Sequence, residues 1–403
     1  MSDLRILIVD DSVAVRRALT EAIEGEPGMS VCGAAPNGVL ALELLARERP
    51  DVIVLDLEMP VMDGLEFLSR MRLEHPRLPV LVFSGTAGHA NEATLEAMWR
   101  GASDYILKPR GLLPDALGPF LRAELFPRIR ALAVRAGGPG AGSGRRGLSS
   151  GGGSMLHGTS GSPSGEPATP GPRTPSTRPT DVGSRAGVEP RPAIPISRSV
   201  AGRDPAPSVV LIGASTGGPR ALATVLSALP GDFRLPILVV QHMPAEMTDF
   251  FAAGLSFNGS LPVRLAEEGG VVMPGSVWVA PGGSHLCLEA DGARVRFLLD
   301  RGPEEHGCRP AVDPLFRAGA QVYGSGVIAV VLTGMGHDGL DGARAVHAAQ
   351  GRVLVQDEES SVVWGMPGAI ARAGLAHAIL PLAEVGGELL ARSRRAANRA
   401  EAA

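Results

Sequence analysis

The chain has 403 residues, a formal net charge of −4 and 44% hydrophobic residues. This length exceeds what one hydrophobic core usually holds, so two or three domains are expected, and the charge excludes a globally basic nucleic-acid-binding protein. Aromatic residues make up only 4% of the chain, which argues against a stacking surface for single-stranded nucleic acid.

The cysteine content and the N-terminal sequence indicate the cellular compartment. Three scattered cysteines are too few for a disulfide framework or a thiolate zinc site. The first residues, MSDLRILIVDDS, are acidic where a secretory signal is basic, and no apolar run approaches the ~18 residues that cross a membrane. We therefore expect a cytoplasmic monomer without membrane insertion.

Short apolar segments alternate with amphipathic helical patterns over 1–135. A helical pattern at 39–48 follows Asn37, a typical N-cap residue. Five strand–helix units indicate a doubly wound parallel sheet with a flavodoxin-like fold. The predicted strands are 4–9, 29–34, 52–55, 80–83 and 105–107.

Composition changes sharply after residue 135. Between 136 and 207, 44 of 72 residues are Gly, Pro, Ser or Thr. Such a segment cannot bury enough apolar surface to offset the entropy lost on ordering, so we interpret it as a flexible linker.

The region at 208–390 again alternates strands and helices, which predicts a second doubly wound sheet with a Rossmann-like fold. An Arg- and Ala-rich tail follows at 391–403. In open parallel sheets, ligands bind beyond the carboxyl ends of the strands, so the side chains there are the functional candidates. The predicted strands are 209–212, 237–241, 277–280, 327–332 and 353–356.

Three carboxylates follow strands of the first domain, Asp10 and Asp11 after the first strand and Asp56 after the third. Acids gathered at one sheet edge repel one another unless a cation lies between them, and Mg²⁺ prefers oxygen ligands. One acid could then accept a phosphoryl group, whose oxygens Ser84 and Lys108 would bind. The alternative is a solvated loop edge.

Lys108 is the only lysine among 38 basic residues. Arg is a planar fork suited to bidentate contacts, whereas Lys is a compact charge on a flexible stem. A single lysine in a chain so rich in Arg therefore indicates a functional site to which Arg is not suited. The alternative is that this lysine occurs by chance.

The motifs IVDDS at 8–12, VLDLEMPVMDGLEFL at 54–68 and YILKP at 105–109 resemble the response-regulator receiver domain. The resemblance implies that Asp56 is the phospho-acceptor and that a histidine kinase is the phosphodonor. The implied Mg²⁺ site consists of Asp10, Asp11, Asp56 and the backbone carbonyl of Glu58.

The same resemblance makes Ser84 the switch hydroxyl and Tyr105 the aromatic residue that rotates with it. Lys108 would contact the phosphoryl group. Gly85 replaces a second hydroxyl, so Thr86 is a further candidate for the switch role.

The segment GASTGGP at 213–219 connects a predicted strand to a helix. Its small residues permit a tight turn that exposes the Ser215 hydroxyl, and backbone N–H groups at a helix start can stabilise an oxyanion. Gly-x-Ser-x-Gly is typical of the nucleophile elbow of α/β-hydrolases. A plain tight connection is one alternative. A phosphate-binding loop is another, disfavoured because no Lys–Ser/Thr pair follows.

A serine hydrolase needs a histidine base and an acid that orients it. His242 follows strand 237–241 and Asp338 follows strand 327–332, so both lie at the sheet edge of Ser215. We predict the triad Ser215, His242 and Asp338, because the lone lysine leaves no partner for a Ser–Lys dyad.

Other histidines are weaker candidates. His347 and His377 lie in helical patterns, RAVHAAQ and GLAHAIL, and Asp313 is interpreted as a helix N-cap. No His pair has the helical spacing of zinc ligands. The histidines in predicted loops are His285, His306 and His337.

The second domain resembles the catalytic domain of the chemotaxis-type protein-glutamate methylesterase. The motifs are GASTGGP, VVQHMP, VAPGGSHL, RPAVDPLF, LTGMGHDG and QDEESSVVWGMP. The resemblance makes Ser215 the nucleophile, His242 the general base and acid, and Asp338 the orienting residue. It places Thr216 near the histidine and the Met335 backbone near the oxyanion.

The resemblance implies hydrolysis of γ-glutamyl methyl esters of methylated chemoreceptors in chemotaxis adaptation. Deamidation of receptor glutamines would be a second reaction, and the esterase domain would need no cofactor. The alternative is a phospho-dependent regulator of a non-chemotaxis receptor pathway with the same esterase fold.

Replacement of Lys108 by Arg tests the reasoning from the lone lysine. Lys108→Arg should preserve phosphoryl acceptance, because the positive charge remains, but should weaken signalling to the second domain. Phosphoryl uptake from a labelled small-molecule donor and the resulting rise in ester hydrolysis are measured on the same preparation. Equal activation of the variant and the wild type would contradict the prediction.

Overall fold

A computed structural model describes residues 3–85, 89–109, 118–135 and 207–401. Thr86 and all of the predicted linker except its last residue lie outside the described residues. Within the described part of the chain, no helix is both long and apolar enough to cross a membrane.

The first sheet has five parallel strands in the order β2–β1–β3–β4–β5. The middle strand β3 is apolar and buried at every position, as expected for a sheet covered on both faces. The predicted fold and all five predicted strands are confirmed. The strands are β1 (Leu4–Val9), β2 (Met29–Ala35), β3 (Val52–Leu55), β4 (Val80–Ser84) and β5 (Asp104–Leu107).

Helix starts in this domain follow their capping residues. The predicted cap Asn37 is confirmed, since its side chain accepts a hydrogen bond from the Leu40 N–H. That helix ends at Leu45, earlier than predicted, where Pro50 soon follows and disfavours continuation. The helices are α1 (Val13–Glu24), α2 (Gly38–Leu45), α3 (Gly64–Glu74), α4 (His89–Trp99) and, after a π-helical turn, α5 (Phe126–Arg135).

The second sheet has seven parallel strands in the order β14–β13–β12–β6–β7–β9–β8. Its five predicted strands are confirmed to within two residues at each end, and its outer strands β8 and β14 were not predicted. The strands are β6 (Val209–Ala214), β7 (Ile237–Gln241), β8 (Val263–Leu265), β9 (Val277–Val279), β12 (Val327–Val331), β13 (Arg352–Gln356) and β14 (Ala378–Leu380).

A separate antiparallel hairpin of β10 (His285–Asp291) and β11 (Arg294–Asp300) also lies outside the sequence prediction. Asp291–Gly292 at its turn is a hairpin signal, and Gly292 has φ +61°. His285 therefore begins a strand and does not lie in a loop.

Helices cover both faces of the second sheet. The helical interpretation of GLAHAIL is wrong, because Gly374 (φ +71°) follows the end of a helix and β14 begins at Ala378. The helices are α6 (Gly218–Ser227), α7 (Thr248–Asn258), α8 (Val312–Tyr323), α9 (Leu340–Ala348), α10 (Met366–Arg372) and α11 (Leu382–Glu401), the last of which includes most of the predicted tail.

The two sheet domains contact each other through aromatic packing. Trp99 of α4 stacks on Phe251 of α7 with ring centroids 6.1 Å apart and planes 5° from parallel. Gly254 leaves room for this contact, since a Cβ there would lie 2.8 Å from the indole. The carboxyl-terminal strand β5 of the first domain is thereby held near the second sheet.

Gly64 lies at the start of α3, directly against the end of β3. A Cβ at this position would be 2.3 Å from the Asp56 carbonyl oxygen and 2.7 Å from the Leu57 Cα, so backbone must shift. We expect Gly64→Ala to lower the free energy of unfolding by roughly 1–3 kcal/mol.

The matched control is Gly387→Ala in α11, where no atom beyond the neighbouring residues and the helix's own backbone lies within 4 Å of the added carbon. Alanine there should be neutral or should stabilise the helix by up to ~1 kcal/mol. Urea unfolding followed by circular dichroism compares the two variants. Equal midpoints would contradict the packing argument.

Candidate active site

The ends of three neighbouring strands bring Ser215, His242 and Asp338 to one edge of the second sheet. Ala214 of β6 pairs with Gln241 of β7, so the residues that follow them are adjacent. The Ser215 N–H donates to the Thr333 carbonyl at 3.0 Å, which ties the Ser215 turn to the segment after β12. The predicted convergence of these strand ends is therefore present.

The Ser215 turn depends on glycine and on a buried glutamine. A Cβ on Gly218 would lie only 1.9 Å from Oε1 of Gln241. The Nε2 of Gln241 donates to the carbonyl oxygens of both Ser215 (3.0 Å) and His242 (3.1 Å). Gln241 thus fixes the backbone of both residues. Sequence reasoning missed it, although a glutamine that ends an apolar strand is a usable signal.

Asp338 holds the imidazole of His242 and the start of α8 together. Its Oδ2 lies 2.7 Å from Nε2 of His242 and also accepts from the Val312 N–H at 2.7 Å. Its Oδ1 accepts from the N–H groups of Asp313 and Gly339 at 3.0 and 2.8 Å. The carboxylate is therefore anchored at a helix N-terminus, where negative charge is favoured.

These contacts set the charge states of the pair. Burial alone would lower the pKa of His242, but the hydrogen bond that its imidazole donates to Asp338, with the Cys308 thiol nearby, raises that pKa to about 9. Burial opposes ionisation of Asp338, yet His242 and the N–H groups of Val312 and Asp313 bring its pKa below the ordinary value. Asp338 thus stabilises the protonated form of His242, the form that arises when the imidazole takes up a proton.

Asp313 is not the N-cap of α8, contrary to the sequence interpretation. Ala311 occupies the cap position, and the carboxylate of Asp338 from a distant loop satisfies the first N–H groups instead. Asp313 accepts from the Gly342 N–H at 2.6 Å and pairs with Nε2 of His306 at 2.7 Å.

The remaining histidines have other contacts. His285 is buried, with Nε2 2.9 Å from the Pro303 carbonyl and Nδ1 accepting from Ala311. His337 packs edge-on against His306, with ring centroids 4.7 Å apart. His347 and His377 pack against each other with centroids 5.4 Å apart. Asp338 hydrogen-bonds His242, whereas Nε2 of His306 lies 3.9 Å from its Oδ1.

A cavity of about 740 Å³ contains this site and is lined by both domains. The second domain contributes the candidate triad together with Thr216 and Met335, and the first contributes residues of β5, the π-helical turn and α5. The lining residues of the first domain include Asp104, Tyr105, Phe120, Glu124 and Arg128. The first domain therefore lies over the Ser215 turn.

A buried hydrogen bond joins the domains inside this cavity. Oγ1 of Thr216 donates to Oδ2 of Asp104 at 2.6 Å, and Nε of Arg128 lies 3.5 Å from the same oxygen. Burial raises the pKa of Asp104, while the Arg128 charge and the Thr216 hydroxyl oppose that rise. The hydroxyl next to Ser215 is thus directed at the first domain.

The three carboxylates of the first domain lie together at the predicted edge of the sheet. Ligand oxygens of Asp10, Asp11 and Asp56 all lie within 4.8 Å of one another. Nζ of Lys108 lies 2.8 Å from Oδ2 of Asp10 and 2.5 Å from Oδ2 of Asp56. Burial, together with the nearby Asp56 charge, raises the pKa of Asp10 against the opposing effect of Lys108.

Three further residues were predicted to belong to this site, and they differ in their surroundings. The Ser84 hydroxyl is buried and has no hydrogen-bond partner among the described residues, so it is available to a group placed beside it. Glu58 lies on the loop after β3 with an exposed side chain. Tyr105 is half-buried and lines the cavity above Ser215. The donor atoms of Asp10, Asp11 and Asp56 are all oxygens, and such a set fits a hard divalent cation.

Comparisons with known proteins identify both domains. Residues 210–389 match the family model "CheB methylesterase" and residues 6–114 match "Response regulator receiver domain". A protein-glutamate methylesterase/protein-glutamine glutaminase of Paramagnetospirillum magneticum is 40% identical over 95% of this chain and 94% of its own. The chain belongs to the protein-glutamate methylesterase family.

Other similar proteins carry the same description. The protein-glutamate methylesterase/protein-glutamine glutaminase of Trichodesmium erythraeum is 39% identical over 97% of this chain and 99% of its own. The crystal structure of the Thermotoga maritima CheB methylesterase catalytic domain is 43% identical, covers 46% of this chain and 98% of its own, and has a TM-score of 0.45.

The His242–Asp338 pair predicts a measurable titration. Because the pKa of His242 is raised to about 9 in the folded protein, the stability contributed by the pair is fully present below pH ~6.5 and is lost as pH rises through 9. Asp338→Asn should return the pKa of His242 toward its ordinary value. NMR titration of the imidazole measures this shift, with Asp341→Asn as an exposed-carboxylate control. An unchanged pKa in Asp338→Asn would contradict the assignment.

Proposed function

We propose that this protein is a phosphorylation-regulated protein-glutamate methylesterase that removes methyl groups from glutamate γ-methyl esters of chemoreceptors. The observation that carries the proposal is the His242–Asp338 hydrogen bond of 2.7 Å beside the Ser215 turn, in a cavity that the receiver domain also lines. Deamidation of receptor glutamines by the same residues is part of the proposal, because an amide and an ester are both acyl compounds.

In the proposed reaction, Ser215 attacks the side-chain carbonyl and His242 accepts the serine proton. Since Nε2 of His242 faces Asp338, we assign the proton transfer from Ser215 to Nδ1, which also faces the Cys308 thiol. The proton passes to the leaving methanol, or to ammonia in deamidation. Water then attacks the acyl-enzyme with His242 again as base. We assign support of the oxyanion to Thr216 and the Met335 backbone.

The receiver domain supplies the proposed regulation. Asp56 is the phospho-acceptor, a histidine kinase is the donor, and Asp10, Asp11, Asp56 and the Glu58 carbonyl would hold Mg²⁺. The cation supplies charge neutralisation for the incoming phosphoryl group. Lys108 exchanges its bond to Asp56 for one to the phosphoryl oxygens, and the unpartnered Ser84 hydroxyl binds another oxygen. Tyr105 is proposed to rotate with Ser84.

A single strand connects this chemistry to the esterase. Asp104 and Tyr105 of β5 face the Ser215 cavity, and Lys108 follows the same strand after Leu107. A change at Asp56 that moves Lys108 therefore acts on the strand that holds the Asp104–Thr216 bond. Phosphorylation is proposed to release this strand and to open the cleft to the receptor.

The chain organisation is also part of the proposal. We assign the receiver to 1–135, the linker to 136–207, the esterase to 208–390 and the tail to 391–403. The family supports methylated chemoreceptors as protein substrate. A monomer in the cytoplasm, without a cofactor in the esterase domain, completes the assignment.

The function is tested by methanol release from membranes that contain methylated receptor, with and without a phosphodonor. Ser215→Ala should reduce turnover by at least ~10³-fold, as expected when a triad member is lost, but should still accept phosphate at Asp56. Asp56→Asn should keep basal turnover and lose activation. Turnover that survives in Ser215→Ala would show that another residue is the nucleophile.

A further inference from the structure

A second cavity, of about 580 Å³, lies where the receiver domain meets the start of α6. Arg72 of α3 and Arg220 of α6 both line it. A Cβ on Gly101 would be 3.1 Å from Nε of Arg72 and 3.5 Å from Nη1 of Arg220. The two guanidinium groups therefore lie within about 7 Å of each other, close enough for like charges to repel near a protein surface.

Neither charge is neutralised by an acid. Arg72 donates four of its five N–H groups to the carbonyl oxygens of Gly101, His75 and Leu78, which does not cancel its charge. Within the described ranges, no carboxylate lies in salt-bridge distance of Arg72 or Arg220. Burial, with the charge of Arg220, lowers the pKa of Arg72 to about 10, so Arg72 stays cationic at neutral pH.

Two described acids line the same cavity, and neither forms an ion pair with Arg72 or Arg220. Oδ1 of Asp357 accepts from the N–H and the hydroxyl of Ser360, at 2.9 and 2.5 Å. Glu359 also lines the cavity but forms no ion pair with either arginine. Ser103 and Thr224 add hydroxyl groups to the lining.

We propose that this cavity binds a phosphate-class oxyanion between Arg72 and Arg220. The guanidinium fork of Arg220 matches phosphate oxygens bidentately, while Arg72 offers its charge and one remaining Nη2 N–H. One anion between the two arginines replaces their repulsion by attraction. Because the arginines belong to different domains, the bound anion holds the receiver on the esterase and opposes opening. The site is separate from the phospho-acceptor pocket, which lies at the ends of β1, β3 and β5.

Isothermal calorimetry with the full-length protein tests this proposal at constant ionic strength. Orthophosphate is titrated into the wild type, into Arg220→Gln and into Arg264→Gln, which removes an exposed charge elsewhere on the esterase domain. Wild type and Arg264→Gln should bind saturably, and Arg220→Gln at least tenfold more weakly. A nucleoside monophosphate in a second titration distinguishes a phosphomonoester from free phosphate, and saturable binding of either that depends on Arg220 supports the site.

Basal methanol release gives the second readout. Orthophosphate should lower it in the wild type and in Arg264→Gln but not in Arg220→Gln. The proposal is overturned by the absence of saturable binding to the wild type, or by equal weakening in the two variants, which would mean a nonspecific charge effect.

Discussion

The hydrogen bond from Thr216 to Asp104 is the contact on which the proposed coupling of the two domains depends. It joins the residue after Ser215 to the strand that leads to Lys108, across 112 positions of sequence. A hydrogen bond to a charged group contributes about 1.5–3 kcal/mol, which is similar to typical coupling energies between sites in allosteric proteins. A phosphoryl group that adds about −1.5 to −2 charge can therefore shift this balance without unfolding either domain.

Most of the architecture could be predicted from the sequence, because parallel sheets place chemistry at strand ends. Apolar runs of three to six residues indicate ten strands, and the polar residues after them are the candidates. His242 and Asp338 were selected by that logic, and the structure brings their side chains to 2.7 Å. The fold and the family are confirmed. The catalytic roles remain predictions that the geometry supports.

Contacts between distant segments were not predictable in the same way. Asp313 at a helix start favours an N-cap, yet Asp338 from another loop makes those bonds and Asp313 turns to His306. Gln241 stands out only as the polar end of an apolar strand, and its contact with two carbonyl groups is visible only in the folded structure. The contact of Asp104 with the second domain has no local pattern, since tertiary packing alone decides it.

The most direct test of the central claim is the rate at which a small fluorophosphonate labels Ser215 in the full-length protein, with and without a phosphodonor. The reagent needs both an open cleft and a serine activated by His242. The account predicts slow labelling of the unphosphorylated protein and clearly faster labelling after phosphorylation of Asp56, with intact mass showing one adduct at Ser215. Equal rates in the two states would contradict an esterase site that the receiver domain covers and phosphorylation opens.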